Sequence, residues 1–258
     1  MDWHFLIPEG LSLSTTLLLI ISAGFTSFVS AAMGIGGGLL LLIIMANIMP
    51  LAALIPVHGL VQLGSNANRM AMTRRHIQWS IAGYFFVGAI LAALVASFVL
   101  VQLPLAVIQI AIGVFVLALT WGFKPKKRDL PKWARTIAGF VTTFLTMFIG
   151  ATGPLVAALI HAQRADRHQV VATFSSCMTI QHGLKIVVFG LLGFAFLPWL
   201  PLIIAMIISG AIGTWLGLQL LNRYSAKTFD WIFKGIITLL ALRTLYEGVI
   251  LAYSHYMM

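Results

Sequence analysis

The sequence predicts an all-α integral membrane protein, and three observations support this fold class. Of the 258 residues, 60% are hydrophobic and only 9% are charged, whereas about a quarter of the residues in a soluble domain are charged. Apolar runs recur along the chain at about the 20 residues that a helix needs to cross a bilayer. The lysines and arginines lie in short connectors between these runs, as expected for charges that orient membrane spans.

The apolar segments form two similar sets of five. They lie near residues 11–33, 39–49, 52–72, 77–101 and 104–123, and then near 136–149, 155–163, 169–193, 198–221 and 228–252. In each set the first two segments meet at a glycine-bearing tip, Gly34 to Gly38 in one half and Gly150 to Pro154 in the other. Three of these four segments are too short to cross a bilayer. Each pair therefore predicts a broken-helix, re-entrant hairpin before three transmembrane helices, although 11–33 is long enough to cross fully.

Matching glycines indicate that the two sets are repeats. Gly24 and Gly139 lie 115 residues apart, and Gly88 and Gly210 lie 122 apart, in the same order along each half. Internal repeats of this kind are typical of transporters. We predict about eight to ten helical segments, arranged as a first membrane repeat at 1–123, a basic cytoplasmic linker at 124–135 and a second repeat at 136–258.

The basic residues predict how the repeats lie in the membrane. They cluster at Arg74-Arg75, from Lys124 to Arg135, at Arg164 and Arg167, and at Arg223 and Lys227, whereas the connectors near 102–104 and 193–198 carry none. Cytoplasmic loops are enriched in Lys and Arg, so the first hairpin should enter from outside and the second from the cytoplasm. The two repeats would then be inverted, with both termini outside.

Glycine-rich motifs lie at the two tips and in the apolar segment 198–221. The sequence Gly34-Ile-Gly-Gly-Gly38, its weaker echo from residue 139 onward, and Gly210-Ala-Ile-Gly213-Thr-Trp-Leu-Gly217 resemble the sulfite exporter TauE/SafE family. The resemblance implies a multi-pass protein of the bacterial inner (plasma) membrane. It also implies a secondary transporter, expected to be an exporter, of sulfite, an organosulfonate or a related organic anion.

The tips are the first part of the predicted substrate site. Helix N-termini attract anions through unpaired N–H groups and the helix dipole, and glycine lets the backbone approach a ligand closely. The predicted tip contacts are Gly36, Gly37, Gly38, Thr152 and Gly153. The alternative is that these glycines only allow a tight turn or close helix packing.

Polar faces on the two helices that follow the hairpins form the second part. At helical spacing, the predicted substrate-binding residues are His58, Gln62, Asn66 and Arg69 in the first half, and Ser175, Thr179, Gln181, His182 and Lys185 in the second. A polar face is costly in lipid, so both should face a cavity. Asn66 matches His182, and Arg69 matches Lys185, at an offset of 116 residues.

Lys185 is the strongest candidate, because an ammonium within a membrane is by default functional, with snorkelling to the interface as its alternative. Arg69 either binds the anion or only flanks the span. The two histidines either bind substrate, carry a proton or pack in the core. His161 is expected at the interface, and Arg243 and Glu247, four residues apart, should form a structural ion pair.

The acidic residues favour an anion as the substrate. None of the six lies in the polar faces, whereas cation carriers usually need an intramembrane carboxylate. We therefore predict alternating access of a small anion at a central site between the repeats. Whether a proton or sodium ion is coupled to it, and whether the protein is a homodimer, stay open.

Other functions are less well supported by the sequence. The net charge of +10 belongs to the membrane connectors, so we predict lipid rather than nucleic acid as the partner. Neither a nucleophile with an orienting base nor a metal triad appears in the sequence. We therefore predict that the chain is not an enzyme and that it binds no cofactor and no metal. Two alternatives remain: a soft metal-ion carrier, suggested by eleven Met and seven His, and a membrane assembly factor without transport.

Overall fold

The computed structural model describes residues 7–8, 10–33, 36–99, 104–122, 130–161, 166–220 and 227–256. Within these ranges the chain forms ten α-helices and no strand, which confirms the predicted all-α fold class. The first half contains α1 (Leu13–Met33), α2 (Gly37–Ala46), α3 (Leu51–Thr73), α4 (Trp79–Val99) and α5 (Leu105–Gly122). The second contains α6 (Lys132–Ile149), α7 (Gly153–His161), α8 (Arg167–Leu191), α9 (Leu200–Leu220) and α10 (Lys227–Tyr256).

Three segments of the described chain are long and apolar enough to cross a membrane. They are Leu13–Met33, Trp79–Val99 and Leu197–Leu220, the last of which includes a short 3-10 turn before α9. In addition, α2 and most of α5 are shorter apolar helices. These three segments coincide with the predicted apolar segments 11–33, 77–101 and 198–221. Exposed large apolar side chains such as Phe98 and Ile212 lie on their outer faces.

The observed helix bounds differ from the predicted segments mainly where the first turn is polar. Helix α6 begins at Lys132, inside the predicted linker, because Pro131 precedes it with the φ of −64° that suits a helix start. Hydropathy detects only the apolar part of such a helix. The rest of the basic linker, residues 124–129, lies outside the described residues, as do Gly34, Arg164 and Arg223.

Glycine is required where each hairpin turns. Gly36, before α2, has a φ of 107°, and Gly150, after α6, has a φ of 95°. These values lie in the left-handed region, where a side chain is strained and glycine is not. Both tips therefore turn at a glycine with a positive φ. They differ in length, because α2 starts directly after Gly36 and α7 starts three residues after Gly150.

The same helix pairs form when the two halves are exchanged. Helix α1 packs on α9 and α4 on α6, while α3 packs on α8 and α5 on α10. Counting from the start of each half, the first helix of one packs on the fourth of the other, and the third and fifth helices pack on their own counterparts.

Close contacts between the halves depend on small residues. A Cβ at Gly88 of α4 would collide with the carbonyl of Thr136 in α6, and one at Gly213 of α9 would collide with the carbonyl of Gly24 in α1. Backbones that approach this closely gain van der Waals contact, which is a main source of helix association in membranes. The matched glycines of the sequence thus lie at the interfaces between the halves.

The counterpart helices α3 and α8 run antiparallel. Just beyond the C-terminal end of α3, the backbone N–H of Gln78 donates to Thr173 near the start of α8, at 3.0 Å. Nearer the start of α3, Gly59 lies beside the side chain of Lys185, in the last third of α8. Helices α5 and α10 are also antiparallel, since Trp121 donates to Thr238 at 2.9 Å and Gln109 donates to Glu247 at 3.3 Å.

Candidate functional site

The two hairpin tips and the helices α3 and α8 enclose a narrow cavity. Its walls come from both halves of the chain: Ser30, Gly36, Gly38 and Leu39 from the first hairpin, His58, Gln62 and Asn66 from α3, Ala151, Gly153 and Pro154 from the second hairpin, and Phe174, Met178 and His182 from α8. The helices α2 and α7 both begin at this cavity, so the positive ends of two helix dipoles face it.

All but one of the lining residues form equivalent pairs. In the hairpins, the offset of 115 residues joins Gly36 to Ala151, Gly38 to Gly153 and Leu39 to Pro154. Along α3 and α8, the offset of 116 residues joins His58 to Phe174, Gln62 to Met178 and Asn66 to His182. Ser30 is the exception. The cavity therefore lies where the two halves meet symmetrically.

His58 and His182 face each other in this cavity. The Nε2 atom of His58 lies 2.9 Å from the carbonyl oxygen of Gly38, and because a carbonyl only accepts, Nε2 is the protonated nitrogen. The ring centroids of the two histidines are 6.0 Å apart in an edge-to-face arrangement. Both side chains are fully buried, and Nδ1 of His58 and both nitrogens of His182 have no hydrogen-bond partner.

A chain of amides leads from the cavity to Arg69. The Asn66 amide donates to the Gln62 backbone oxygen at 2.8 Å and to its side-chain oxygen at 3.0 Å. The Arg69 guanidinium makes only long contacts, at 3.4 Å to Asn66 and 3.5 Å to the carbonyl of Ser27, and its Nε has no partner. Arg69 is only 2% exposed, so it lies inside the protein rather than flanking the span at the surface.

Lys185 is held against the tip of the second hairpin. Its ammonium donates to the carbonyl oxygen of Gly150 at 2.6 Å and to the Thr146 hydroxyl at 3.1 Å. The side chain is fully buried, so Lys185 does not snorkel to an interface. No carboxylate contacts either Lys185 or Arg69 among the residues that the structure describes. The two equivalent cations therefore stay unneutralised beside the cavity.

A comparison with known protein families agrees with this geometry. The family model described as "Sulfite exporter TauE/SafE" matches residues 19–244. The chain belongs to the sulfite exporter TauE/SafE family. The match includes both hairpin tips and every residue that lines the cavity. TauE/SafE proteins are membrane transporters, so this chain is a membrane transporter of a family that exports sulfur-containing anions. No curated protein and no solved structure matches the chain.

The TauE/SafE transporter brings half of the fourteen predicted site residues to the cavity wall. These seven are Gly36, Gly38, His58, Gln62, Asn66, Gly153 and His182. Arg69 and Lys185 lie one helical turn beyond it, three residues from Asn66 and His182 respectively. Their role in binding stays a prediction.

The remaining five predicted residues have other contacts in the structure. Gly37 packs against the carbonyl of Thr26 in α1. The Ser175 and Thr179 hydroxyls donate to carbonyl oxygens one turn back in α8, at 2.6 and 2.7 Å. Gln181 donates to Thr152 at 2.9 Å, and Thr152 donates to the carbonyl of Thr142 at 3.1 Å, which fastens the second tip to α6 and α8.

Six lining residues were not predicted from the sequence. Ser30, Leu39, Ala151, Pro154, Phe174 and Met178 also contact the cavity. The repeat offset could have found three of them, because Ala151, Phe174 and Met178 are the counterparts of the predicted residues Gly36, His58 and Gln62. Selecting residues by polarity alone excluded them.

Three remaining expectations concern an ion pair, a bound metal and His161. Arg243 and Glu247 form the predicted ion pair, with a distance of 3.0 Å between Nε and Oε1. Within the described residues, no group of three or more His, Cys, Asp and Glu could hold a metal ion, so no ligand cluster supports the soft-metal alternative. The side chain of His161 lies outside the described part of the chain.

Proposed function

We propose that this transporter carries a small anion across the bacterial inner membrane by alternating access at the cavity between its hairpins. The substrate class is sulfite, an organosulfonate or a related organic anion, and the expected direction is export. Residues 1–123 and 136–258 act as two inverted repeats of a multi-pass protein. The tips close the cavity from opposite sides, so moving one repeat against the other opens it to each side in turn.

The observation that carries the proposal is the pair of buried, unneutralised cations beside the cavity. Burying a lone cation is costly, and proteins usually pair it with an anion. Arg69 and Lys185 occupy equivalent places on antiparallel helices, so one lies beyond each end of the cavity-facing residues of α3 and α8. An anion in the cavity would be attracted by both, and by the N-termini of α2 and α7.

The contact of Lys185 with Gly150 suggests how binding is linked to movement. In this structure the ammonium is bonded to the second tip. An anion that competes for the ammonium would weaken this bond and loosen the tip on α8, which Gln181 also holds through Thr152. The Gly150 carbonyl would not be left unpaired, because the Thr146 hydroxyl also donates to it at 3.1 Å.

Flux measurements with a Lys185 variant test this proposal. The purified chain is reconstituted in vesicles and offered sulfite, sulfate, methanesulfonate and acetate separately. We expect uptake of at least one sulfur oxyanion, and a loss of about 100-fold in Lys185→Met, since a charge-assisted hydrogen bond contributes about 2–3 kcal/mol.

Lys132→Met is the matched control. Lys132 is exposed at the start of α6, whereas the tip that reaches the cavity follows the other end of that helix, at Ile149. This variant should transport like the native chain. Equal flux in Lys185→Met and the native chain would disprove the role of Lys185. No flux of any of these anions with the folded native chain would disprove the proposed function.

A further inference from the structure

The two cavity histidines leave three of their four ring nitrogens without a partner. The Nε2–H of His58 is committed to the Gly38 carbonyl, so Nδ1 of the neutral ring carries a lone pair that no donor meets. Both nitrogens of His182 are likewise unpartnered. Buried polar atoms nearly always have partners, and both rings line the cavity. These nitrogens therefore point to a ligand that shares the cavity.

An acceptor is an unexpected group in a site for an anion. Anions accept hydrogen bonds, so donors such as Lys185 suit them, whereas the lone pair of His58 Nδ1 would repel them. A donor, or a proton itself, is what this nitrogen can bind. Histidine is also the side chain whose ordinary charge change falls between pH 5 and 8.

Few other ionisable groups face the histidines. Among the described elements packed on α3 or α8, helices α2, α5 and α9 carry none, α4 carries only Tyr84, and α6 carries only Lys132 and Arg135 at its distant start. The 3-10 turn Arg74–His76 follows the far end of α3, and α7 ends at His161. Helix α8 contributes His182, Lys185 and the buried thiol of Cys177, with Arg167 and His168 at its first turn. Helix α3 itself adds Arg69. The charged groups nearest the pair are therefore cations.

This setting makes protonation depend on the anion. A proton on either ring would be repelled by Lys185, and so would be unfavourable in the empty cavity. An anion in the cavity would reverse this, because it attracts both the imidazolium and the ammonium. Each ligand thus increases the affinity for the other, and such coupling is reciprocal.

We propose that the His58–His182 pair carries a proton that crosses the membrane together with the anion. A hydronium ion in the water that enters the cavity gives its proton to His58 Nδ1, so that an O–H bond breaks, an N–H bond forms and water is left, while Nε2–H stays on the Gly38 carbonyl. That N–H bond breaks on the opposite side and the proton returns to water. His182, in edge contact, is the second acceptor. This inference rests on the proposed function, because it needs an anion in the cavity.

The test measures proton movement driven by an anion gradient. Vesicles with the full native chain contain a trapped pH-sensitive dye, and sulfite or methanesulfonate is added outside, with protein-free vesicles as the baseline. Methanesulfonate stays fully ionised at neutral pH and cannot deliver a proton itself. We expect a lumenal acidification above baseline with each anion that is transported, and an uptake rate that falls up to tenfold per pH unit in the alkaline range.

His58→Gln separates the histidine from the rest of the site. The glutamine amide can still donate to the Gly38 carbonyl but cannot take up a proton, so we expect acidification to disappear and the pH dependence of uptake to flatten. His182→Asn, which places the residue of the equivalent position 66 there, should also weaken acidification. His76→Gln is the control, because His76 is exposed and pairs with His168 at 5.2 Å, away from the cavity.

Each outcome decides the inference separately from the proposed function. Anion uptake by the native chain without acidification overturns the inference and leaves anion transport standing, and it does so even if the variants fail to fold. Acidification with sulfite but not with transported methanesulfonate places the proton on the anion and also overturns it. Acidification that persists in a transporting His58→Gln variant excludes His58. Absence of all anion uptake removes the proposed function and the inference with it.

Discussion

The walls that α3 and α8 give to the cavity are equivalent in position but different in chemistry. From α3 come His58, Gln62 and Asn66, which are all polar, whereas the matching residues of α8 are Phe174, Met178 and His182. One wall is therefore polar along its length, and the other is apolar for two of its three positions. The apolar wall would suit the hydrocarbon part of an organic anion, and the polar wall its charged group.

The two equivalent cations differ in the same way. Lys185 makes a short bond of 2.6 Å to the second tip, whereas the contacts of Arg69 are 3.4 Å or longer and do not reach the first tip. Glycines and helix pairings are thus shared by the halves, while side chains at equivalent places differ. The similar backbone of the two halves sets where the cavity lies, and the different side chains would determine what each wall can bind.

The largest expected effect would show how strictly the shared backbone packing is required. Gly88 and Gly210 are counterparts in α4 and α9, yet an added Cβ at Gly88 would meet the carbonyl of Thr136, whereas one at Gly210 meets the movable Ser27 hydroxyl at 3.0 Å. We expect Gly88→Ala to lower the free energy of unfolding by about 3 kcal/mol and Gly210→Ala by less than about 1 kcal/mol. Thermal melting in detergent measures both.

Gly83→Ala is the matched control for Gly88→Ala, because Gly83 lies on the same helix with open space around the added Cβ. It should melt at or above the native temperature, since alanine favours the helix. If Gly83→Ala and Gly88→Ala melt alike, close approach of α4 and α6 does not hold the halves together.

The next effect would sharpen the comparison of the two cations. Replacing a poorly compensated buried charge by an apolar side chain of similar size often stabilises a protein by about 1–4 kcal/mol. Arg69→Met should therefore raise the free energy of unfolding, by about 2 kcal/mol. Lys185→Met should raise it less, by about 1 kcal/mol, because it also removes the short bond to Gly150.

The measurement is again melting in detergent, without added anion and then with sulfite. Anion should stabilise the native chain more than either variant, because both variants lose attraction for it. A destabilised Arg69→Met variant would mean that the long contacts to Asn66 and Ser27 matter structurally, and the contrast with Lys185 would then fail.

The sequence predicted the ten helices and both hairpins because hydropathy and glycine act locally. Apolar length sets a span, and Gly36 and Gly150 permit the turns whatever lies around them. The cavity wall was harder to predict, because successive residues of a helix point about 100° apart. On α8 the polar residues Ser175 and Thr179 were chosen, whereas their neighbours Phe174 and Met178 face the cavity.

Polarity was misleading on α8 for a physical reason. The Ser175 and Thr179 hydroxyls bond to carbonyls of their own helix, so they need no polar cavity. On α3 the predicted residues His58, Gln62 and Asn66 lie on the cavity wall, and their side chains are too large and polar to be satisfied that way alone. Whether a polar residue in a membrane helix marks a site thus depends on whether its own backbone can satisfy it.

The smallest expected effect concerns the outer contact between the halves, where α5 meets α10. Glu247 accepts from Arg243 at 3.0 Å on its own helix and from Gln109 of α5 at 3.3 Å, and the ion pair is largely exposed. In Glu247→Gln the new amide can still accept from Arg243, and Gln109 can turn its oxygen toward the new NH₂ group. Only an exposed charge is then lost, so the free energy of unfolding should fall by less than about 1 kcal/mol, with unchanged anion uptake.

Arg243→Gln is the matched variant, and melting and flux are measured for both. It should behave like Glu247→Gln. If Glu247→Gln changed the free energy of unfolding more than Arg69→Met does, the exposed ion pair would matter more for stability than the buried cation. The contrast between the buried cations beside the cavity and the charges elsewhere in the chain would then be wrong.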